Sequence, residues 1–451
     1  MRAFLLIGLV YGCQPDKDDE EDDASCDLLT NSPCLAGLVC EAVEGGDPAC
    51  FQPVSIEGRV FDLVDDAPVA DARVVAMDVN GAPQSTVAIS AADGGYHLDV
   101  PTLRTEDGDM AGELLTLRAD AAGYQPFPSG LRLALPVDVR EGLDREGAWV
   151  LQTTATDIGL LSMPEGTGTG VIAGTAEVPG EAGVLVIASS GGSGTTGVAD
   201  RDGSYAIFNL AAGTHDVEAF AAGVNYAPET ASVVAGAITG VDLAILDHDT
   251  ATLSGTVQIV NAPGGSTTSV ILVAESTFDA ALARGEMPPG LRATDVTGTY
   301  TIDGIPRGDW VVLAAFENDG LVRDPDPSIG GTQIQHVSVT ADETITVEGF
   351  KVTEALAVLT PGAAGEERVG DTPTISWADD SSEDDYTLRV YDAFGSLVWE
   401  TTVDRATGDD PAVPYAGPAL EVGMYYQFRV TSNKEGAPIS ATEDLRGVFY
   451  R

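Results

Sequence analysis

Asp93-Gly94-Gly95-Tyr96-His97-Leu98, Asp202-Gly203-Ser204-Tyr205-Ala206-Ile207 and Gly298-Thr299-Tyr300-Thr301-Ile302 are variants of one phrase, and they decide the fold. In each, apolar residues alternate on either side of the tyrosine, which is the period of a strand with one buried face. The preceding Asp-Gly pairs, and Gly298 in the third copy, predict positive φ at a tight connection between strands. Gly213 and Gly308 mark a second turn, and another alternating run follows each. Strands this short and this closely spaced predict antiparallel sandwiches.

Each phrase belongs to a longer repeat that starts near residue 54. The copies open with Ile56-Glu57-Gly58-Arg59-Val60, Ile172-Ala173-Gly174-Thr175-Ala176 and Leu253-Ser254-Gly255-Thr256-Val257. The first copy continues through Ala67-Pro68-Val69-Ala70-Asp71-Ala72, a segment the second copy lacks, and the second ends in an alternating run from Val233 to Ile245. The first copy inserts Thr102 to Gly112 where a tight glycine turn is due, and the third inserts Phe278 to Leu291.

The Gly-x-Val opening, the Asp-Gly-x-Tyr core and the Leu-x-x-Gly turn together resemble the carboxypeptidase regulatory-like family over roughly residues 54–354. That resemblance implies a transthyretin-like, seven-stranded sandwich in each copy. The last hundred residues differ. Pro373-Thr374-Ile375-Ser376-Trp377, Tyr386-Thr387-Leu388-Arg389-Val390-Tyr391-Asp392 and Leu420 to Val430, with Gly423 and Tyr426 inside, resemble a fibronectin type III domain. In that family the tryptophan and the Leu-x-x-Gly-x-x-Tyr-like corner belong to the core.

The formal charge is −49, from 71 Asp and Glu against 22 Lys and Arg. Phosphate contacts want cations, so the balance excludes nucleic acid as a partner. It also excludes attachment to anionic lipid through basic patches. Solubility of an exported protein accounts for the acidity; a calcium-loaded or salt-adapted surface is the sharper alternative.

The N-terminus predicts export. Arg2 supplies a positive start, and Ala3 to Val10 form an apolar run too short for a permanent membrane helix. Val10-Tyr11-Gly12-Cys13 resembles the lipobox of bacterial lipoproteins, with Tyr11 bulkier than that motif usually carries. The resemblance implies that residues 1–12 are a signal peptide and that Cys13 carries lipid; a plain secretory signal is the alternative. Gln14, rather than an aspartate that would signal inner-membrane retention, favours the outer membrane or cell surface. Residues 13–25 are polar and acidic, predicting a disordered tether. A dozen extended residues would reach about 40 Å from the bilayer.

With Cys13 lipidated, four of the five cysteines remain, spaced Cys26-x7-Cys34-x5-Cys40-x9-Cys50 within residues 26–52. So short a segment cannot build a sufficient core, which predicts two disulfides with three pairings open. A zinc site is the competing reading, but the close cysteine knuckles of such sites are missing.

Little else carries chemistry. None of His97, His215, His248 and His336 pairs in sequence with a nearby cysteine, glutamate or second histidine, and the first two read as outward-facing beside strands. No nucleophile elbow or metalloprotease helix motif occurs, so no catalytic residue, metal site or cofactor is expected. Gly191 to Gly197 lacks the lysine and helix of a phosphate loop and reads as a flexible hairpin loop. Asp379 to Asp385 is acidic without calcium-loop spacing. Trp310, Trp377 and Trp399 read as packing residues, leaving Trp149 without a clear role. The first two repeats lack any lysine for a Lys–Asn cross-link, and Lys351 falls on a closing strand.

The expectation is an all-β protein, an elongated array of tandem antiparallel β-sandwiches behind a small disulfide-stapled module. The sandwiches span 53–157, 158–248, 249–354 and the fibronectin-like 355–451. Its expected role is non-catalytic: a lipid-anchored surface protein for adhesion, spacing or assembly of a cell-envelope complex, with an unnamed protein or glycan ligand. The alternative is a polysaccharide-binding array serving a separate degradative enzyme.

Overall fold

The computed structural model describes residues 25–28, 32–112, 114–130, 132–145, 147–164, 168–179, 183–260, 262, 264–314, 321–323, 334–380, 382–405 and 410–451. Cys13, the apolar leader and nearly all of the acidic tether lie outside them. The protein is all-β: tandem antiparallel sandwich-like sheets follow a small disulfide-stapled module. Among the described residues no helix is long and apolar enough to cross a membrane.

The repeated phrase does the same job in each of the first three sandwiches. Its strands, Gly95–Val100, Ser204–Ala211 and Thr299–Ile305, pair antiparallel with the opening strands Val54–Asp62, Thr169–Thr175 and Ala251–Val260. Tyr96, Tyr205 and Tyr300 stand opposite Gly58, Gly174 and Gly255, and all three tyrosines are buried. Gly94 and Gly203 take the positive φ expected of them. In the third copy Gly298 does not take a positive φ; the residue that does nearby is Asp295, inside the strand Arg292–Val296 where its pairing is bulged.

Each opening strand also has a parallel neighbour from late in its repeat. Ile158–Ser162, expected in the second sandwich but paired with the first one's opening strand and buried in its core, Ile238–Gly240, and both Thr344–Thr346 and Phe350–Glu354 take that place. The run from Val233 to Ile245 is broken into short pieces rather than one strand, ending at Val233, spanning Ile238–Gly240 and resuming at Ile245. Lys351 lies on the parallel closing strand.

The second and third sandwiches share packing. Leu185, Ile187 and Phe220 join the core built around Trp310, and Phe220 meets Trp310 edge-on at 5.1 Å. Such a contact adds about 0.5–1.5 kcal/mol beyond the area it buries. The final sandwich closes over Trp377, Tyr386, Phe428 and Phe449, all fully buried. Its corner forms as expected: the Tyr426 hydroxyl accepts the backbone N–H of Glu421 at 2.9 Å.

Candidate functional site

Where the four sandwiches meet, they line an open cavity of about 520 Å³. Its walls come from each in turn, for example Thr116, Thr195, Asp279 and Asp444. Arg118, Arg132, Arg284 and Arg429 also line it. A volume of this size falls in the range of small-molecule pockets.

Arg118 is the hub. It sits on Leu114–Asp120, where strand alternation turns it away from the first core and into the junction. Its Nε donates to Asp120 at 2.7 Å, Nη1 to Glu286 of the third sandwich at 2.9 Å, and Nη2 to the Thr196 hydroxyl of the second at 2.8 Å. Burial alone would lower its pKa, but Asp120 and Glu286 outweigh it and hold the guanidinium firmly charged. One side chain thus ties three sandwiches together.

The second sandwich reaches the hub through its glycine run, and here the expectation of a flexible loop is corrected. Gly191 and Gly192, both at positive φ, form a two-residue turn, and the next residues are the strand Ser193–Ala199. Two glycines in that conformation match the twist of the flanking strands, which makes the hairpin tight. A Cβ on Gly197 would lie 2.4 Å from the carbonyl oxygen of Ala206, so glycine lets the sheets approach.

The insertion from Phe278 to Leu291 supplies the third wall. Thr277 accepts the N–H of Glu286 at 2.9 Å, which aims Glu286 at Arg118. Met287 packs with Ala82 of the first sandwich and Val273 of its own. Arg284 reaches across to Asp444 of the last sandwich, where Arg429 also pairs. Arg132 completes the ring: its Nη2 donates to the carbonyls of Gly159 and Phe394, at 2.5 and 2.9 Å, and its guanidinium lies 5.0 Å from the Phe127 ring centre. Burial lowers the Arg132 pKa, and Asp392 opposes that only in part.

The insertion from Thr102 to Gly112 has an equivalent role at the N-terminal end. Arg104 donates to the buried Glu41 carboxylate at 2.5 Å and to the Gln52 carbonyl at 2.8 Å, and stacks over Phe51. Thr102 N–H donates to Glu41 as well. The disulfide module is therefore clamped to the first sandwich. Its cysteines pair Cys26–Cys40 and Cys34–Cys50. Among the described residues, the one set of three or more potential metal ligands with converging donor atoms is Cys26, Cys34 and Cys50, whose sulfurs are already in those bonds.

The other candidates are scattered. His97 is exposed beside Asp99 and Glu57, and His336 pairs with Glu275 at 2.6 Å. His248 is also exposed, near the carbonyl of Gly223. His215 departs from its expected outward position: it is buried, with Nε2 2.8 Å from the Ala211 carbonyl. Trp149 does have a structural role, donating to the Val139 carbonyl at 2.8 Å while packing on the first core. Trp399 packs edge-on against Tyr415. In the acidic stretch, Asp380 accepts from Ser432, Asp384 from the Glu435 N–H and Asp385 from Asn433, so these carboxylates fasten neighbouring strands. No histidine, cysteine or lysine lines the junction cavity among the described residues, which leaves its serine and threonine hydroxyls without a general base of those types.

No family model matches the chain, and no curated protein matches it either. Solved structures do. The Bacillus anthracis TIE protein is 13% identical, with 93% of this chain and 71% of that one covered, at a TM-score of 0.17. A BcpA variant, the major pilin subunit of Bacillus cereus, is 10% identical over 66% of this chain and 99% of its own, at 0.18. The minor pilin of Streptococcus agalactiae is 12% identical over 43% and 99%, at 0.17. These are likenesses in general β-sandwich architecture; scores this low carry no argument about what the chain does.

Proposed function

We propose that this chain is a non-catalytic surface protein, held outside the cytoplasm through lipid on Cys13 and displaying β-sandwich domains for adhesion, spacing or assembly of a cell-envelope complex. In this reading residues 1–12 are removed, residues 13–25 form the spacer, and the outer membrane or cell surface is the site of display. The first three sandwiches are of the carboxypeptidase regulatory-like kind and the last is fibronectin type III-like.

The observation that carries the proposal is the fused junction. A display element must hold its binding face at a fixed position relative to its anchor. Arg118 and the two insertions join module and sandwiches in a way that resists relative motion. The polysaccharide-array alternative calls for exposed aromatic platforms. Trp310 and Trp377 are fully buried, and Trp149 and Trp399 are packed against neighbours, which favours display.

The test is cell fractionation of wild type and Cys13→Ser, with intact mass of the mature protein. Membrane-bound wild type with acyl mass on Cys13, and a soluble variant, are expected. An unmodified Cys13 in the mature protein overturns the anchor and with it the proposed placement.

A further inference from the structure

We propose that the open edge strand of the final sandwich, Leu397–Asp404, takes up an extended basic segment of a partner protein by strand addition. The proposal goes beyond display and stands whether or not Cys13 carries lipid.

The strand is the last in its sheet and pairs on one side only, with Asp385–Asp392. Among the described residues, no backbone hydrogen bond reaches Leu397–Asp404 from any other segment. Its outer row of N–H and C=O groups is therefore a template for another strand. Natural edges are guarded by shortness, lysine, proline or a bulge. This one is eight residues long and contains neither lysine nor proline. Its register shifts only near the Leu397 end, so Trp399 to Asp404 run in regular pairing. Val398, Trp399, Thr401, Thr402 and Val403 all favour the extended state. Other open edges are shorter, such as Leu143–Arg145 and Thr344–Thr346 at three residues each.

Charge names the occupant. Asp404 lies directly opposite Asp385, and like charges so placed repel. Among the described residues neither forms an ion pair; the nearby cations Arg389 and Arg405 pair with Glu400 and Glu383 instead. An arginine or lysine on an added strand stands beside Asp404 and relieves that repulsion. The chain's own polar segment, residues 13–25, is predominantly acidic, and a second copy brings another formal charge of −49, so both are repelled. A cationic segment of a different protein meets both demands, the free backbone row and the carboxylate pair.

The probe is a synthetic peptide of alternating threonine and valine with arginine at both ends, titrated into the full chain in detergent at physiological salt. Saturable binding at one site per chain is expected, with slowed amide exchange within Leu397–Asp404. The same peptide with proline at alternate positions keeps its charge but cannot pair, and should not bind. Asp404→Lys should weaken binding about tenfold. It removes a repulsion, so the fold tolerates it. Glu229→Lys makes the same change of charge on an exposed position of the second sandwich and should leave binding unchanged. No saturable binding, equal binding of the proline peptide, protection confined to other strands, or undiminished binding by Asp404→Lys each overturns the proposal.

Discussion

Tyr96 lies across Gly58, and the pairing works because Gly58 has no side chain. A Cβ there would fall 2.9 Å from Cε1 of the tyrosine and 2.1 Å from the carbonyl oxygen of Thr156. The Tyr96 hydroxyl donates to that same carbonyl at 2.5 Å. Tyr205 repeats the arrangement over Gly174, donating to Val241 at 2.8 Å. Tyr300 repeats the ring position over Gly255, but among the described residues its buried hydroxyl has no partner.

That difference separates the three tyrosines experimentally. Truncation of any one to alanine should cost about 3–5 kcal/mol, as for other large aromatic deletions in cores. Phenylalanine should divide them. Tyr96→Phe and Tyr205→Phe each lose a hydrogen bond and leave a carbonyl wanting, at a cost of about 1–2 kcal/mol. Tyr300→Phe removes an unsatisfied hydroxyl and should be neutral or slightly stabilising. Denaturant unfolding of the full-length variants measures all three. A loss in Tyr300→Phe equal to that in Tyr205→Phe would contradict the geometry.

The sandwich architecture was legible because its signals are local. Alternation around the tyrosines and positive φ at Gly94 and Gly203 depend on neighbours in sequence. The junction was not legible, because Arg118, Glu286 and Asp444 are joined only by folding, and nothing in their flanking residues announces a partner. The interruptions of the repeat were the available clue. Thr102 to Gly112 and Phe278 to Leu291 looked like noise within a sandwich, yet each supplies the contacts that fasten one unit to another. His215 was misjudged for a related reason: strand alternation predicts faces, but not which strand end is covered by a preceding turn. For Gly191 to Gly197, composition suggested looseness where close approach between sheets was the actual demand.

Arg118 should behave as a shared structural hub. Replacing it with methionine leaves Asp120 and Glu286 without their common cation inside the junction. Breaking one side of a buried pair costs about 3–5 kcal/mol, whereas replacing the group as a whole is often far cheaper. Arg118→Met should therefore lower stability strongly and expose the insertion near Arg284 to protease. Adding Glu286→Gln should recover part of the loss. Limited proteolysis and denaturant melts of the single and double variants check this; additive losses would mean that Glu286 and Arg118 are not coupled.

The disulfide module should be chemically closed and mechanically docked. Alkylation without reductant should label none of Cys26, Cys34, Cys40 and Cys50, because all are paired. The bonds join residues 14 and 16 apart in sequence. Loops of that length give about 3 kcal/mol of stabilisation per bond in the chain-entropy account. Glu41→Gln tests docking separately: it weakens the hold on Arg104 and should raise amide exchange in Val39–Glu41 while leaving the disulfides intact. Exchange confined to other strands would place the docking contact elsewhere.

Glu366 should make the contact between the first and last sandwiches sensitive to pH. Burial pushes its pKa up to about 7, and the charges of Glu141 and Asp138 add to the rise. The backbone N–H of Asp138 and the Tyr425 hydroxyl bond to it and oppose the shift, without cancelling it. Asp138 is itself paired with Arg140 at 2.6 Å, so that cation is already engaged. The sign follows from proton counting. Between the ordinary glutamate value of 4.5 and about 7, the folded state keeps a proton that the unfolded chain has released. Stability is therefore greatest below that window, falls as pH rises through it, and levels off above about 7. The total loss should be on the order of 1–3 kcal/mol, since one pKa unit corresponds to about 1.4 kcal/mol. Glu366→Gln cannot ionise, so it should flatten this part of the pH profile and be more stable than wild type at pH 8. Thermal unfolding of both proteins from pH 5 to pH 8 measures the difference. Parallel profiles for wild type and variant would show that Glu366 titrates normally and that the acidic contact is indifferent to pH.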